Sequence, residues 1–148
     1  MGAAIANKQA GRGSAVKAGL AYFGMVFAAG FAFGSLRTLA IAPAIGETVA
    51  VVLELPVMLA VSWFAARWLA ERFDVEASPE ARLAMGGLAF ALLMVAEASL
   101  SIFIFKRTLF QHFEIYRSLP VQIGLAGQIA FAFFPVLQLV GTRSKLGS

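Results

Sequence analysis

The sequence contains no cysteine, a single histidine and a single asparagine. Without cysteine there is no disulfide, no thiol nucleophile, no thiolate zinc site and no iron–sulfur ligation. One histidine, His112, rules out two-histidine metal sites and bis-histidine haem ligation. Charge is scarce as well: Asp, Glu, Lys and Arg make up 14% of the chain, against about 25% in soluble domains. The net charge of +4 and the pI near 10.0 do not indicate nucleic-acid binding, because the basic residues sit mostly at the ends of apolar runs rather than on one face or in one tract.

What the chain has in excess is apolar surface. Hydrophobic residues are 60% of its 148 positions, against roughly 45 to 50% in ordinary globular domains, and the mean hydropathy is +0.82. Charged residues divide this material into long runs. Between Lys17 and Arg37 lie 19 uncharged residues, and between Glu47 and Arg67 another 19 broken only by Glu54. Between Arg82 and Lys106 lie 23 broken only by Glu97, and between Arg117 and Arg143 lie 25 with no charge. About 20 apolar residues make a membrane-crossing helix, and backbone in lipid must satisfy its own hydrogen bonds. The expected fold is therefore an all-α integral membrane protein, four transmembrane helices in a compact bundle, with no second domain and no internal repeat.

Turn chemistry sets the expected bounds at about 15–42, 47–73, 79–106 and 120–142. Pro43 and Gly46 stop the first helix, and Glu47 favours the N-terminus of the second. Ser78 is placed to cap the third helix with Pro79 at its first position. Residues 107–119 mix Arg107, His112, Glu114 and Arg117 with Leu109, Phe110 and Phe113, the pattern of an amphipathic interfacial segment. In that reading His112 is a solvated loop residue. Residues 1–14 read as a flexible tail before an uncleaved first span, and 144–148 as a C-terminal tail whose last residues are an expression remnant.

Lys and Arg counts orient the bundle. Lys8, Arg12, Lys17, Arg67, Arg72, Arg82, Arg143 and Lys145 fall on the side of the termini, eight against four (Arg37, Lys106, Arg107, Arg117) on the other. The positive-inside rule then puts both termini in the cytoplasm, in a bacterial-type inner (plasma) membrane.

The informative residues are the polar ones inside spans, each costing about 2.5 to 3.5 kcal/mol at the bilayer centre unless paired or hydrated. At about 1.5 Å of rise per residue, Arg37 and Glu54 lie roughly 9 and 10 Å, and Glu97 and Gln128 roughly 13 and 12 Å, below the face opposite the termini. Four helices thus bring one polar group each to nearly one level. The expectation is a chamber in which Arg37 faces Glu54 and Glu97 while Gln128 supplies hydrogen bonds. Two carboxylates sharing one arginine cannot both ionise cheaply, so one is expected to hold a proton. Ser62 and Ser101 extend the network if they face the same way, and Pro56 would free the Val52 carbonyl beside Glu54. The bland counterpart is a structural Arg37–Glu54 pair and a bent packing helix.

Gly30 with Gly34, Ala15 with Gly19 and Gly87 with Ala91 are small-xxx-small pairs and predict close helix contacts, read here as intramolecular. Phe23, Phe27, Phe31 and Phe33 are read first as lipid-facing or packing residues. A cage for a cation would require them to converge on a carboxylate.

Two functions follow. The first is binding, and transport, of a proton, cation or small polar ligand by the chamber of Arg37, Glu54, Glu97 and Gln128. The expected partners are membrane lipids and, because four helices enclose little space, further copies of the chain in a homo-oligomer. The second is a non-catalytic subunit or scaffold of a larger membrane complex. An enzyme ranks behind both, since no nucleophile–base or metal-ligand constellation is visible; no catalytic residue, metal or cofactor is assigned.

Overall fold

A computed structural model describes residues 1–146, with side chains as far as Gly141. Arg143 and Lys145, which entered the charge count, lie outside the described side chains, and Gly147 and Ser148 lie outside the described residues. The described chain is all-helical and has no strand. Four helices are long and apolar enough to cross a membrane: Gly2–Ile45, Glu47–Arg72, Pro79–Ile104 and Leu119–Gly141.

The first of these consists of α1 (Gly2–Leu36), a π-helical turn (Arg37–Ile41) and a short α2 (Ala42–Ile45). It is longer than expected at both ends. Residues 2–14, expected as an irregular tail, continue α1 as a helix. Their backbone passes the α3–α4 connection closely enough that a Cβ on Gly11 would touch Glu76. At the other end the π turn carries the helix through Pro43, and the stop comes only at Gly46, whose φ of 87° is open to glycine and strained for other residues. One residue therefore separates the first two spans.

Helix α3 (Glu47–Arg72) ends where Asp74 enters the left-handed region and Val75 N–H donates back to the Ala70 carbonyl. Helix α4 (Pro79–Ser99) starts as its sequence indicates: Ser78 Oγ accepts from Ala81 N–H, with Pro79 next in line. It too widens into a π turn (Leu100–Ile104), closed by Lys106 in the left-handed region. The interfacial segment holds a one-and-a-half-turn α5 (Leu109–Glu114) with a Thr108–Gln111 capping box, followed by a 3-10 turn (Ile115–Arg117). Its Leu109, Phe110 and Phe113 are exposed. His112 is buried rather than solvated, edge-on to Phe113 and Tyr116, because the same short helix that turns the phenylalanines outward turns the imidazole inward. Helix α6 (Leu119–Leu146) completes the chain.

Each long helix packs against two others: α1 on α3 and α4, and α6 on α3 and α4. The contacts concentrate at the end that carries Gly2 and the α3–α4 connection, called here the terminal end; the opposite, loop end carries Gly46 and α5. The buried core is Ala15, Ala18, Tyr22 and Val26 of α1, Ala65, Ala66, Leu69 and Ala70 of α3, Met85, Ala89 and Leu93 of α4, and Phe131 of α6, with Val75 of the loop. Small residues dominate, so the backbones approach closely. A Cβ added to Gly19 would lie 2.9 Å from the Met85 carbonyl oxygen, and one on Gly86 would collide with that of Ala132. Gly86, not Gly87, makes the α4–α6 contact, and Gly87 faces open space.

Candidate functional site

Toward the loop end the four helices separate around a cavity of about 650 Å³. Each helix contributes a stripe at helical spacing: Phe27, Gly30, Gly34 and Arg37; Glu47, Val51, Glu54, Met58 and Ser62; Leu93, Glu97, Leu100 and Ile104; Pro120, Gly124, Gly127, Gln128 and Phe131. The α4 stripe from Leu93 to Ile104 corresponds to roughly 17 Å of depth at helical rise. Arg37, Glu54, Glu97 and Gln128, singled out by depth along four separate helices, all line this one chamber.

They form two pairs rather than one cluster. Arg37 Nε stands 2.7 Å from Glu54 Oε2, with 23% and 18% of the two side chains exposed. The two atoms are at ion-pair distance without a well-aligned hydrogen bond between them. Gln128 Nε2 donates to Glu97 Oε1. The second carboxylate near Arg37 is not Glu97 but Glu47, whose Oε1 lies 3.8 Å from Arg37 Nη1 and whose side chain is 63% exposed at the chamber mouth. Among the described residues no cationic group lies within ion-pair distance of Glu97. Three carboxylates and one guanidinium therefore line the chamber.

The supporting residues divide. Ser62 is buried and lines the chamber. Ser101 is buried with its Oγ unpartnered, and it lies off the lining, which passes instead through Leu100 and Ile104. The helix is π-helical from Leu100, so the one-turn spacing that placed Ser101 beneath Glu97 does not hold there. Pro56 faces away from Glu54, into a separate apolar groove with Met25, Val57, Ala60, Val61, Phe64 and Trp68. The expected role of Pro56, freeing the Val52 carbonyl, is a backbone effect and does not depend on which way its ring faces.

Gly30 and Gly34 form no close helix contact. A Cβ on Gly30 would only just touch the Met58 methyl, and one on Gly34 would come no nearer than 4.0 Å to Arg37. Their missing side chains widen the chamber. All of the lining comes from one chain, and several of its residues, Phe31, Leu39 and Phe105 among them, are exposed.

The floor was not foreseen. Tyr22 is fully buried, its ring 4.3 Å from that of Phe131, and its hydroxyl donates to the Phe131 carbonyl at 2.8 Å. Four residues on from Phe131 is Pro135, which has no N–H to give that carbonyl. Tyr22 thus satisfies the acceptor that the proline leaves free, and the signal was legible as a tyrosine in one apolar span and a proline in another.

No protein-family model, no curated protein and no solved structure matches the chain. The site is therefore interpreted from its own chemistry. A carboxylate in an apolar chamber, hydrogen-bonded to a neutral amide and lacking a counter-cation, is neutralised by a proton or by a bound cation. Arg37, held between Glu54 and Glu47, has its charge already balanced and is poorly placed to bind an anion.

Proposed function

We propose that the protein is a small multi-pass transporter of the inner membrane, a four-helix bundle with both termini in the cytoplasm, whose chamber takes up a proton, cation or small polar ligand from the outer side. The observation that carries this reading is the meeting of Arg37, Glu54, Glu97 and Gln128, one from each long helix, around one cavity. Polar and ionisable groups inside a membrane are costly, and four at one level around an open volume, three of them ionisable, exceed what packing requires. In this reading Glu97 is the exchanging site, Gln128 orients it, and the Arg37–Glu54 pair keeps the opposite wall neutral. Tyr22 and Phe131 close the chamber on the cytoplasmic side, so one-sided access corresponds to one state of an alternating cycle.

The test is charge movement on solid-supported membranes carrying the reconstituted protein. Wild type is expected to give a transient on a pH or cation jump, and Glu97→Gln, folded by its thermal melt, to give none. Equal transients from both, or silence from both, would sink the transport reading. A scaffold role would then lead, drawing on the apolar groove from Met25 to Trp68, and would be read from loss of a co-purifying partner in a Phe64→Ala variant.

A further inference from the structure

The chamber's shape and charge narrow what it accepts, and the argument here rests on the transport reading just given. Glu47, Glu54 and Glu97 against Arg37 alone leave the lining net negative when all four are ionised, which favours a cation over an anion. An inorganic ion fits poorly. Among the described residues no three acidic or histidine side chains converge as a metal site. A metal ion with about six waters at ~30 Å³ each would fill about 200 Å³, against a cavity near 650 Å³. Most of the lining is apolar, and it includes Phe27, Phe31, Leu93 and Phe131 together with Glu97 and Gln128. Phe27 and Phe31, one turn apart on α1, both line the chamber, their rings tilted by 34° with centroids 6.4 Å apart. The phenylalanines of α1 and α6 thus share a cavity with the one carboxylate that has no counter-cation, which is the condition for aromatic recognition of an organic cation.

We propose that the chamber binds an organic monocation, its ammonium head against Glu97 and its apolar body along Phe27, Phe31, Leu93 and Phe131. Gly30 and Gly34 make the room for that body, since even a Cβ at either position would come no nearer than ordinary contact distance to any neighbour.

The experiment is equilibrium binding of radiolabelled benzyltrimethylammonium to the full chain in lipid nanodiscs. Competitors are its neutral carbon isostere neopentylbenzene, the anion phenylacetate, and NaCl. The expected result is saturable binding, one per chain, that none of the three displaces and that Glu97→Gln weakens at least tenfold. Gly34→Leu, which fills the chamber without touching a carboxylate, is expected to abolish binding and to keep the melt of wild type, so a folding failure of Glu97→Gln does not decide the matter. Trp68→Phe, in the outer groove, is expected to bind as wild type. Displacement by neopentylbenzene or phenylacetate as effective as by unlabelled probe overturns the assignment of a cation, and displacement by NaCl overturns the organic class; both leave the chamber as a ligand site. No saturable binding at millimolar probe, with Glu97-dependent charge movement still present, overturns the organic ligand and spares proton transport. Absence of both defeats the two readings together.

Discussion

The two halves of the molecule use the same residue type to opposite ends. At the terminal end glycine and alanine are absences that let backbones touch: Gly19 against Met85 and Gly86 against Ala132, with Ala15, Ala18, Ala65, Ala66 and Ala89 fully or nearly buried. At the loop end Gly30, Gly34 and Gly124 leave space into which polar side chains face, while Gly127 is covered by the Leu55 side chain. Lipid tails are as apolar as leucine, so helix association in a bilayer depends on close packing, and a protein that hollows one half must hold itself together with the other. The tight half acts as the clamp that lets the other half stay open.

The sharpest way to break that division is to add one methyl group on each side of it. Gly86→Ala drives a Cβ into a backbone carbonyl that cannot move aside, and is expected to cost about 3 kcal/mol or more, read as a collapsed thermal melt in detergent. Gly34→Ala meets open space and removes a flexible residue from a helix, so it is expected to be neutral or to gain about 0.5 to 1 kcal/mol. Equal losses at the two positions would show that the halves do not differ as described.

Next in size is the ion pair of the open half. Arg37→Met strands Glu54 in a half-buried site and is expected to cost roughly 3 kcal/mol, because breaking a buried pair leaves an uncompensated charge. Adding Glu54→Gln to it is expected to recover more than half of the loss, measured by the thermal melts of a double-mutant cycle. If the double variant is as unstable as the sum of the single ones, the pair is not a unit and Arg37 answers to Glu47 instead.

The boundary between the halves is the Tyr22–Phe131 floor. Tyr22→Phe removes one donor from a buried carbonyl and is expected to cost about 1 to 2 kcal/mol. The same substitution in a Pro135→Ala background is expected to cost clearly less, since residue 135 then supplies its own N–H to the Phe131 carbonyl. A loss unchanged by the background would mean that ring packing, not the hydroxyl, holds the floor.

How much of this the sequence disclosed depends on the coordinate in question. Distance along a helix axis is linear in residue number, so charge spacing locates four spans and the rise per residue puts Arg37, Glu54, Glu97 and Gln128 at one depth. Azimuth is far less secure: it compounds 100° per residue and is reset by a π turn, so Ser101, four residues from Glu97 but within the π turn that starts at Leu100, lies off the lining. Pairing is less legible still. Glu47, at a helix start, reads as a dipole partner and not as the second carboxylate of Arg37, and nothing local in the sequence distinguishes Gly34, beside a cavity, from Gly86, beside a carbonyl.

The smallest expected effect asks whether the hollow half carries its negative charge. Tyr116, in the 3-10 turn above the chamber, has its phenol pushed above the ordinary value of 10.0, first by burial and second by the charge of Glu97. Both causes disfavour the phenolate in the folded protein, so the fold binds that proton more tightly than the unfolded chain. The associated stability is present at neutral pH and is lost as the pH rises past the ordinary phenol range and then through the folded value. The chain has two tyrosines, so the Tyr116 titration is isolated by subtracting the alkaline absorbance change of Tyr116→Phe from that of wild type. In Glu97→Gln one of the two causes is gone, and the Tyr116 midpoint is expected to move down while that of burial remains. A midpoint that stays where it was would mean that Glu97 is neutral even in alkali, and the electrostatic contrast between a clamped half with an uncharged core and an open half with an anionic chamber would have to be given up.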